Sequence, residues 1–225
     1  MSKLYIVATP IGNLGDITLR TLEVLRGVDL ILCEDTRVAQ KLLNHFEIKK
    51  PLQSYHQHSD ARKIDYIAEI LGEGKNIALI SDSGTPGISD PGNKLIELLN
   101  TKHQTLNTEI IPVPGPSAMA TIASVAGVSM DRFTFMGFPP HKKGRQTMFK
   151  EISESKYPVI IYESVHRIIK TLKELQVFCD FDIVVGRELT KKFETIYRGK
   201  ISEVISQIEP RGEFVVIIQP KKHEK

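Results

Sequence analysis

Short apolar runs alternate with segments of helical period from the N-terminus to Val113, and no other feature constrains the fold of this chain as much. A short apolar run bounded by turn residues reads as a buried strand, and apolar residues at i, i+3, i+4 and i+7 read as one face of a helix. Residues 4–8, 30–33, 77–80 and 110–113 fit the first template. Ile64, Ile67, Ala68 and Leu71 predict a helix over residues 61–73. Leu19, Leu22 and Leu25 predict another over 17–26, with Asp16 as N-cap and Gly27 as stop, and residues 94–99 read as a third. Such alternation specifies an α/β fold.

The pattern breaks at Pro112-Val113-Pro114-Gly115-Pro116, a run that continues neither a helix nor a central strand. The boundary between two lobes is expected there: residues 1–113 form an N-terminal α/β lobe and residues 114–225 a C-terminal one. Beyond the break, residues 117–126 read as a helix capped by Ser117, and 165–175 and 201–208 as helices. Residues 133–136, 158–162, 182–186, 194–198 and 213–218 read as strands. Several of these follow one another with no helix between, which implies a mixed sheet. Each lobe is therefore expected to be a sheet flanked by helices. Ligands are expected in a cleft between the lobes and at the carboxyl ends of strands.

Hydrophobic residues make up 41% of the chain and charged residues 25%, so each half can bury a core. A net charge of +3, from 30 Lys and Arg against 27 Asp and Glu, excludes a strongly basic nucleic-acid wrapper. Any grip on RNA has to come from clustered cations. Cys33 and Cys179 lie beside apolar runs, outside any CxxC pair or zinc spacing, and read as core thiols; no metal site is expected. The N-terminus runs straight into a strand pattern, and no apolar run reaches the length of a membrane span. A soluble, cytoplasmic protein without membrane attachment is the expectation.

Three loops fall where an α/β fold binds ligands: Thr9-Pro10-Ile11-Gly12-Asn13-Leu14-Gly15-Asp16, then Ser81-Asp82-Ser83-Gly84-Thr85-Pro86-Gly87-Ile88-Ser89-Asp90-Pro91-Gly92, then Pro114-Gly115-Pro116-Ser117-Ala118. Gly-rich loops suggest a phosphate site, but neither GxxxxGK[ST] nor a βαβ GxGxxG is present, and Asp82 and Asp90 repel polyphosphate. Backbone donors and acceptors together with carboxylates suit a zwitterionic or cationic ligand, of which a sulfonium is one kind. Read blandly, each loop is only a tight turn; three together argue for a site.

These loops, with Glu34-Asp35-Thr36-Arg37, form a set that resembles the tetrapyrrole methylase superfamily, the class III methyltransferases, from Leu4 to Ile218. Within it the resemblance is to members that methylate the 2′-hydroxyl of a cytidine ribose in small-subunit ribosomal RNA. It implies a homodimer of two-lobed subunits with S-adenosylmethionine as cofactor, acting on small-subunit RNA or on the assembled small subunit. It also implies cofactor contacts from Pro10, Asp82, Gly84, Thr85, Ser117, Ala118, Tyr162, Glu163, Gly186, Gly212 and Glu213. Two departures stand out. Family members usually continue some tens of residues past the equivalent of Lys225, and Tyr55-His56-Gln57-His58-Ser59-Asp60 replaces a Tyr-His-Glu-His-Asn-Glu form.

A sulfonium methyl is already activated, so positioning is the main demand. A ribose hydroxyl also needs its proton removed. His56 and His58 are the candidate bases, with Glu34, Asp35 and His166 behind them, while Asp82 is assigned to the cofactor. Candidate RNA contacts are Arg37 and Lys41, one helical turn apart, then Lys142, Lys143 and Arg145 on a mobile basic loop, then Arg167, Arg187 and Lys191. The bland reading of each is solvated surface. Competing functions are a methyltransferase for a tetrapyrrole or for diphthamide synthesis on the same fold, and a non-catalytic ribosome-binding factor. The Glu34–Arg37 element and the first loop favour the RNA reading.

Overall fold

The computed structural model describes residues 1–56, 61–90, 92–102 and 107–219. The chain divides into two compact units, Met1–Ser117 and Ala118–Lys225. The division falls just after the Pro-rich joint because the joint itself is tied into the first unit. Thr85 Oγ1 donates to the Pro116 carbonyl at 3.3 Å, and a Cβ on Gly115 would stand 3.0 Å from that of Ala8.

The first unit is a parallel sheet. Its strands are β1 (Ser2–Val7), β2 (Leu30–Cys33), β3 (Leu52–Ser54), β4 (Ile77–Ile80) and β5 (Thr108–Val113), in the order β3-β2-β4-β1-β5. Strands β2 and β4 are wholly buried, as apolar central strands covered on both faces must be. Side-chain alternation divides them between two cores. Ile31, Cys33, Ala78 and Ile80 pack against Leu25 of α1 (Leu19–Gly27) and against Ala39 and Leu43 of α2 (Thr36–His45). Leu30, Leu32, Ile77 and Leu79 pack against Ile64, Ile67 and Leu71 of α3 (Ala61–Gly72) and against Leu95 and Leu99 of α4 (Gly92–Lys102). Each fully buried Leu or Ile contributes about 1.5–3 kcal/mol of transfer free energy.

The second unit holds a mixed sheet. Its strands are β6 (Thr134–Gly137), β7 (Val159–Ser164), β8 (Asp182–Arg187), β9 (Thr195–Lys200) and β10 (Glu213–Ile218), in the order β6-β7-β10-β8-β9. Only β6 and β7 pair parallel; every other pair is antiparallel. One face carries α6 (Arg145–Glu154), α7 (Ile168–Gln176) and α8 (Ile201–Gln207), whose Phe149, Ile152, Leu172, Leu175 and Val204 meet Ile161, Val185, Phe214 and Val216. The other face meets α5 (Ala118–Ser124): a Cβ on Gly186 would lie 2.8 Å from Ile122 Cδ1, so the absent side chain at Gly186 leaves room for Ile122 as it stands.

Two local readings change. Thr18, not Asp16, caps α1, its hydroxyl accepting from Thr21 N at 3.0 Å, while Asp16 closes a short 3-10 turn. The expected mobile basic loop is in part helix: Arg145 is the first residue of α6 and is 5% exposed.

Candidate functional site

In the first unit all five strands run parallel, so their carboxyl ends lie on one edge. Strand β1 leads leftward in the sheet order to β2, and the adjacent β4 leads rightward to β5. Their helices lie on opposite faces, so the loops after β1 and β4 part at a topological switch point, the position at which open α/β sheets bind ligands. The loops there are bound to one another. Thr9 N donates to the Gly84 carbonyl at 2.9 Å, and Gly84 N returns the bond to Thr9 O at 3.1 Å. Thr9 Oγ1 donates to Ser81 O at 3.1 Å, and Ser81 Oγ to Gly84 O at 3.0 Å. Gly84 has φ +83°, which favours glycine, and a Cβ there would stand 3.3 Å from Ile11 Cγ2, a tight contact. The loops after β1, β4 and β5, singled out in the sequence, thus form one rigid platform.

Carboxylates ring this platform. Glu34 and Asp35 follow β2; Asp82 and Asp90 follow β4. Asp35 caps α2, accepting from Arg37 N at 2.8 Å and pairing with the Arg37 guanidinium at 2.6 Å, which lowers its carboxyl to about 2. Its own amide donates to Asp82 Oδ1 at 3.1 Å. Glu34 and Asp90 hydrogen bond to each other. Burial first, then the charges of Asp90 and Asp82, raise Glu34 to about 7. Burial raises Asp90 to about 6 against the hydrogen bonds from Glu34 and Ser81. Both carboxyls therefore hold a proton more readily than an ordinary carboxylate, and the two titrate as a pair. Burial, with help from Asp82, also lifts the Cys33 thiol to about 11, which leaves it an inert core residue.

Of the expected cofactor residues, Pro10, Asp82, Gly84, Thr85 and Ser117 lie on these loops, with Asp82 exposed and Pro10 buried. A solvent-facing carboxylate on this platform suits a ligand that carries cationic and hydroxyl groups. In the second unit, Ala118 opens α5, and Tyr162, Val215 and Gly186 are laterally in register across β7, β10 and β8. Gly212, at φ +81°, enters β10 just before Glu213.

Glu163 does not fit the role expected of it. Being next to Tyr162 in a strand, it points to the opposite face, where it is 1% exposed. Its carboxylate accepts from Thr171 Oγ1 at 2.6 Å and Ser164 N at 2.7 Å and pairs with Arg167 at 2.8 Å. That side chain is enclosed by the fold and is withdrawn as a cofactor contact.

Four of the expected RNA contacts are likewise engaged in folding. Arg145 donates to Glu174 and to Thr171 Oγ1, both at 2.6 Å, and to Pro140 O at 3.2 Å, and lies over the Phe149 ring. Arg167 pairs with Glu163 and donates to Pro139 O at 2.8 Å. Arg187, 7% exposed, donates to Arg211 O at 2.8 Å and pairs with Glu209 at 3.0 Å. Lys191 bridges Glu188 and Glu213, both at 2.9 Å. Arg37, Lys41, Lys142 and Lys143 are exposed. His56 is exposed and follows the edge strand β3, while His58 lies outside the described residues. Spacing alone did not disclose the contact between Glu34 and Asp90. The buried role of Arg145 did leave a signal, its i, i+4, i+7 relation to Phe149 and Ile152.

Among the described residues no His, Cys, Asp or Glu cluster is placed to hold a metal, and no helix is long and apolar enough to cross a membrane. Residues 3–205 match the family model of the tetrapyrrole (corrin/porphyrin) methylases. The chain is 42% identical over 99% of its length to the ribosomal RNA small subunit methyltransferase I of Thermotoga maritima, all of which is covered. It is 46% identical over 96% of its length to the protein of the same name from Mycoplasmopsis pulmonis, of which 97% is covered. The fold is also that of a solved diphthine synthase, with a TM-score of 0.77 at 12% identity over 100% of this chain and 92% of the other.

Proposed function

The chain belongs to the tetrapyrrole (corrin/porphyrin) methylase family, whose members are methyltransferases, and from that premise we propose that it methylates the 2′-hydroxyl of a cytidine ribose in small-subunit ribosomal RNA, with S-adenosylmethionine as the methyl donor. The observation that carries this reading is the near-complete, end-to-end similarity to ribosomal RNA small subunit methyltransferases I. The loops that carry the family resemblance meet at the switch point of the first unit, which supports it further. A homodimer acting on the RNA or on the assembled small subunit is part of the same reading.

The cofactor supplies an activated methyl group; the chain has to bind, orient and deprotonate. The Thr9–Gly84 bridge fixes the backbone of the platform. Asp82, exposed and tied to the Asp35 amide, offers its carboxylate to the cationic and hydroxyl groups of the cofactor. With the methyl donor bound, a base on this edge would accept the proton that the ribose hydroxyl gives up as it takes the methyl group. His56 and Glu34 are the groups assigned to take it. Glu34 follows the strand directly beside β4, nearer the switch point, whereas His56 follows the outermost strand.

The test is methyl transfer from radiolabelled S-adenosylmethionine to small subunits from cells lacking this enzyme, with the position and linkage of the methyl mapped. The expected result is a ribose-linked methyl at one cytidine, lost in Asp82→Ala together with at least tenfold in cofactor affinity, about 1.4 kcal/mol. Cofactor binding without incorporation into RNA would overturn the substrate and turn attention to small-molecule acceptors.

A further inference from the structure

The geometry points to a docking surface for single-stranded RNA on the second unit, at the end of its sheet where β6, β7 and β8 finish. Phe138 and Phe193 are its stacking platforms; Lys142, Lys143 and Lys192 are its phosphate contacts. This inference rests on RNA being the substrate.

Topology brings the two aromatic residues to one end. Strand β6 runs parallel to β7, and β7 and β8 both run antiparallel to β10. The loop after β6, which carries Phe138, and the loop after β8, which carries Phe193, therefore emerge on the same side. Three strand spacings, roughly 14 Å, separate β6 from β8 across the sheet.

Both rings face solvent on loops that the fold holds in place. Phe138 is 52% exposed and Phe193 66%. The carbonyls of Pro139 and Pro140, next to Phe138, accept from Arg167 and from the buried Arg145, and the Phe138 ring meets Tyr162 at 5.5 Å. In the second loop Glu188 and Thr190 adopt φ +51° and +67°, and Lys191 ties that loop to Glu213. Left-handed backbone at non-glycine residues is costly and collects where a loop has to present a side chain in a fixed pose.

Several carboxylates here are set against cations: Glu188 and Glu213 share Lys191, and Glu209 meets Arg187 and Arg211. The exposed Glu194 accepts from the Thr190 amide and keeps its charge. Among the described residues Lys142, Lys143 and Lys192 form no ion pair, and Lys192 Nζ lies 5.5 Å from the Phe193 ring centroid. An aromatic face beside a free cation complements an unpaired base beside its phosphate. A duplex hides its base faces. A second protein chain would ask for one continuous apolar patch rather than two separated rings flanked by lysines.

The test measures binding of the full chain to a labelled single-stranded oligoribonucleotide and to a duplex of equal length, across a salt series. Wild type is expected to favour the single strand. Phe138→Ala and Phe193→Ala are each expected to weaken it about tenfold, with duplex affinity unchanged. Replacing Lys142, Lys143 and Lys192 by Ala is expected to lower the slope of log affinity against log salt by about 2. Unchanged single-strand affinity in the double Phe variant would overturn the inference. So would loss of self-association in that variant with RNA affinity retained, which would assign the surface to a second copy. Methylation of small subunits by wild type is measured alongside: its absence sinks the proposed function, while the binding measurements decide this inference.

Discussion

Replacing Arg145 by Met tests whether a cation that reads as an RNA ligand is a structural tie. Methionine keeps much of the volume and removes the charge. The guanidinium is 5% exposed and is held by Glu174 and Thr171, both at 2.6 Å, and by Pro140 O. Removing one member of a buried ionic network costs about 3–5 kcal/mol, because its partners stay behind uncompensated. The lower end applies here. Glu163 keeps Arg167, Thr171 and the Ser164 amide, and Glu174, whose side chain is 25% exposed, can recover water. We expect a loss of about 3 kcal/mol, which with a urea dependence of about 2–3 kcal/mol per molar lowers the unfolding midpoint by about 1 M. The assay is equilibrium urea unfolding followed by circular dichroism, with Glu163→Gln and the double variant completing a cycle. Coupling of at least about 1 kcal/mol is expected between residues that share one network. A midpoint loss worth less than about 0.5 kcal/mol would refute the argument and return Arg145 to the surface. RNA binding gives an independent check: Arg145→Met should weaken it through the 138–144 loop while leaving the salt slope unchanged.

The Glu34 carboxyl, held near 7 against 4.5 when unfolded, keeps a proton in the native state that the unfolded chain releases, so stability falls as pH rises from about 4.5 to 7. Discounted for its partial exposure, the loss is about 1–2 kcal/mol; Asp90, raised to about 6, adds a slope of the same sign in this window, so Glu34→Gln should remove about half of the slope in urea midpoints taken at its two ends, and an unaltered slope would refute the raised Glu34 carboxyl. At Gly212, φ is +81° and an added Cβ would overlap the Glu188 carboxylate. Gly212→Ala should therefore cost about 1–3 kcal/mol and loosen the Lys191 bridge, seen as faster proteolysis within 188–194, and a variant as stable as wild type would show that the loop rearranges freely.

The central strands were legible because burial on both faces demands unbroken apolar runs: β2 and β4 begin and end where their apolar patterns do, and β10 ends where its pattern does. What escaped were elements with weak patterns of that kind. Strand β3 is three residues long and only half-buried at the sheet edge. Helix α6 buries an arginine where its stripe calls for an apolar residue, so its first turn read as basic loop. The α1 cap moved two residues because Asp16 and Thr18 are both competent caps, and only the 3-10 turn before Thr18 decides between them.

The site shows the same division between what a chain states and what only folding reveals. Backbone loops at the switch point were readable because glycine and proline at fixed spacings dictate a loop shape whatever surrounds them. Side-chain roles were not, since a charge acts on a ligand only if the fold has left it unengaged. Lys142 and Arg145 are close neighbours in sequence, yet one is exposed and the other lies beneath Pro140, bonded to Thr171 and Glu174. Glu163 and Tyr162 are consecutive, yet strand alternation sends one into a buried ionic network and keeps the other beside the aromatic residues of the neighbouring loop. Net charge says how many cations a chain carries. How many remain for a ligand depends on which carboxylates and carbonyls the fold has set against them, and Lys142, Lys143 and Lys192 are among the exposed lysines for which no ion pair forms among the described residues.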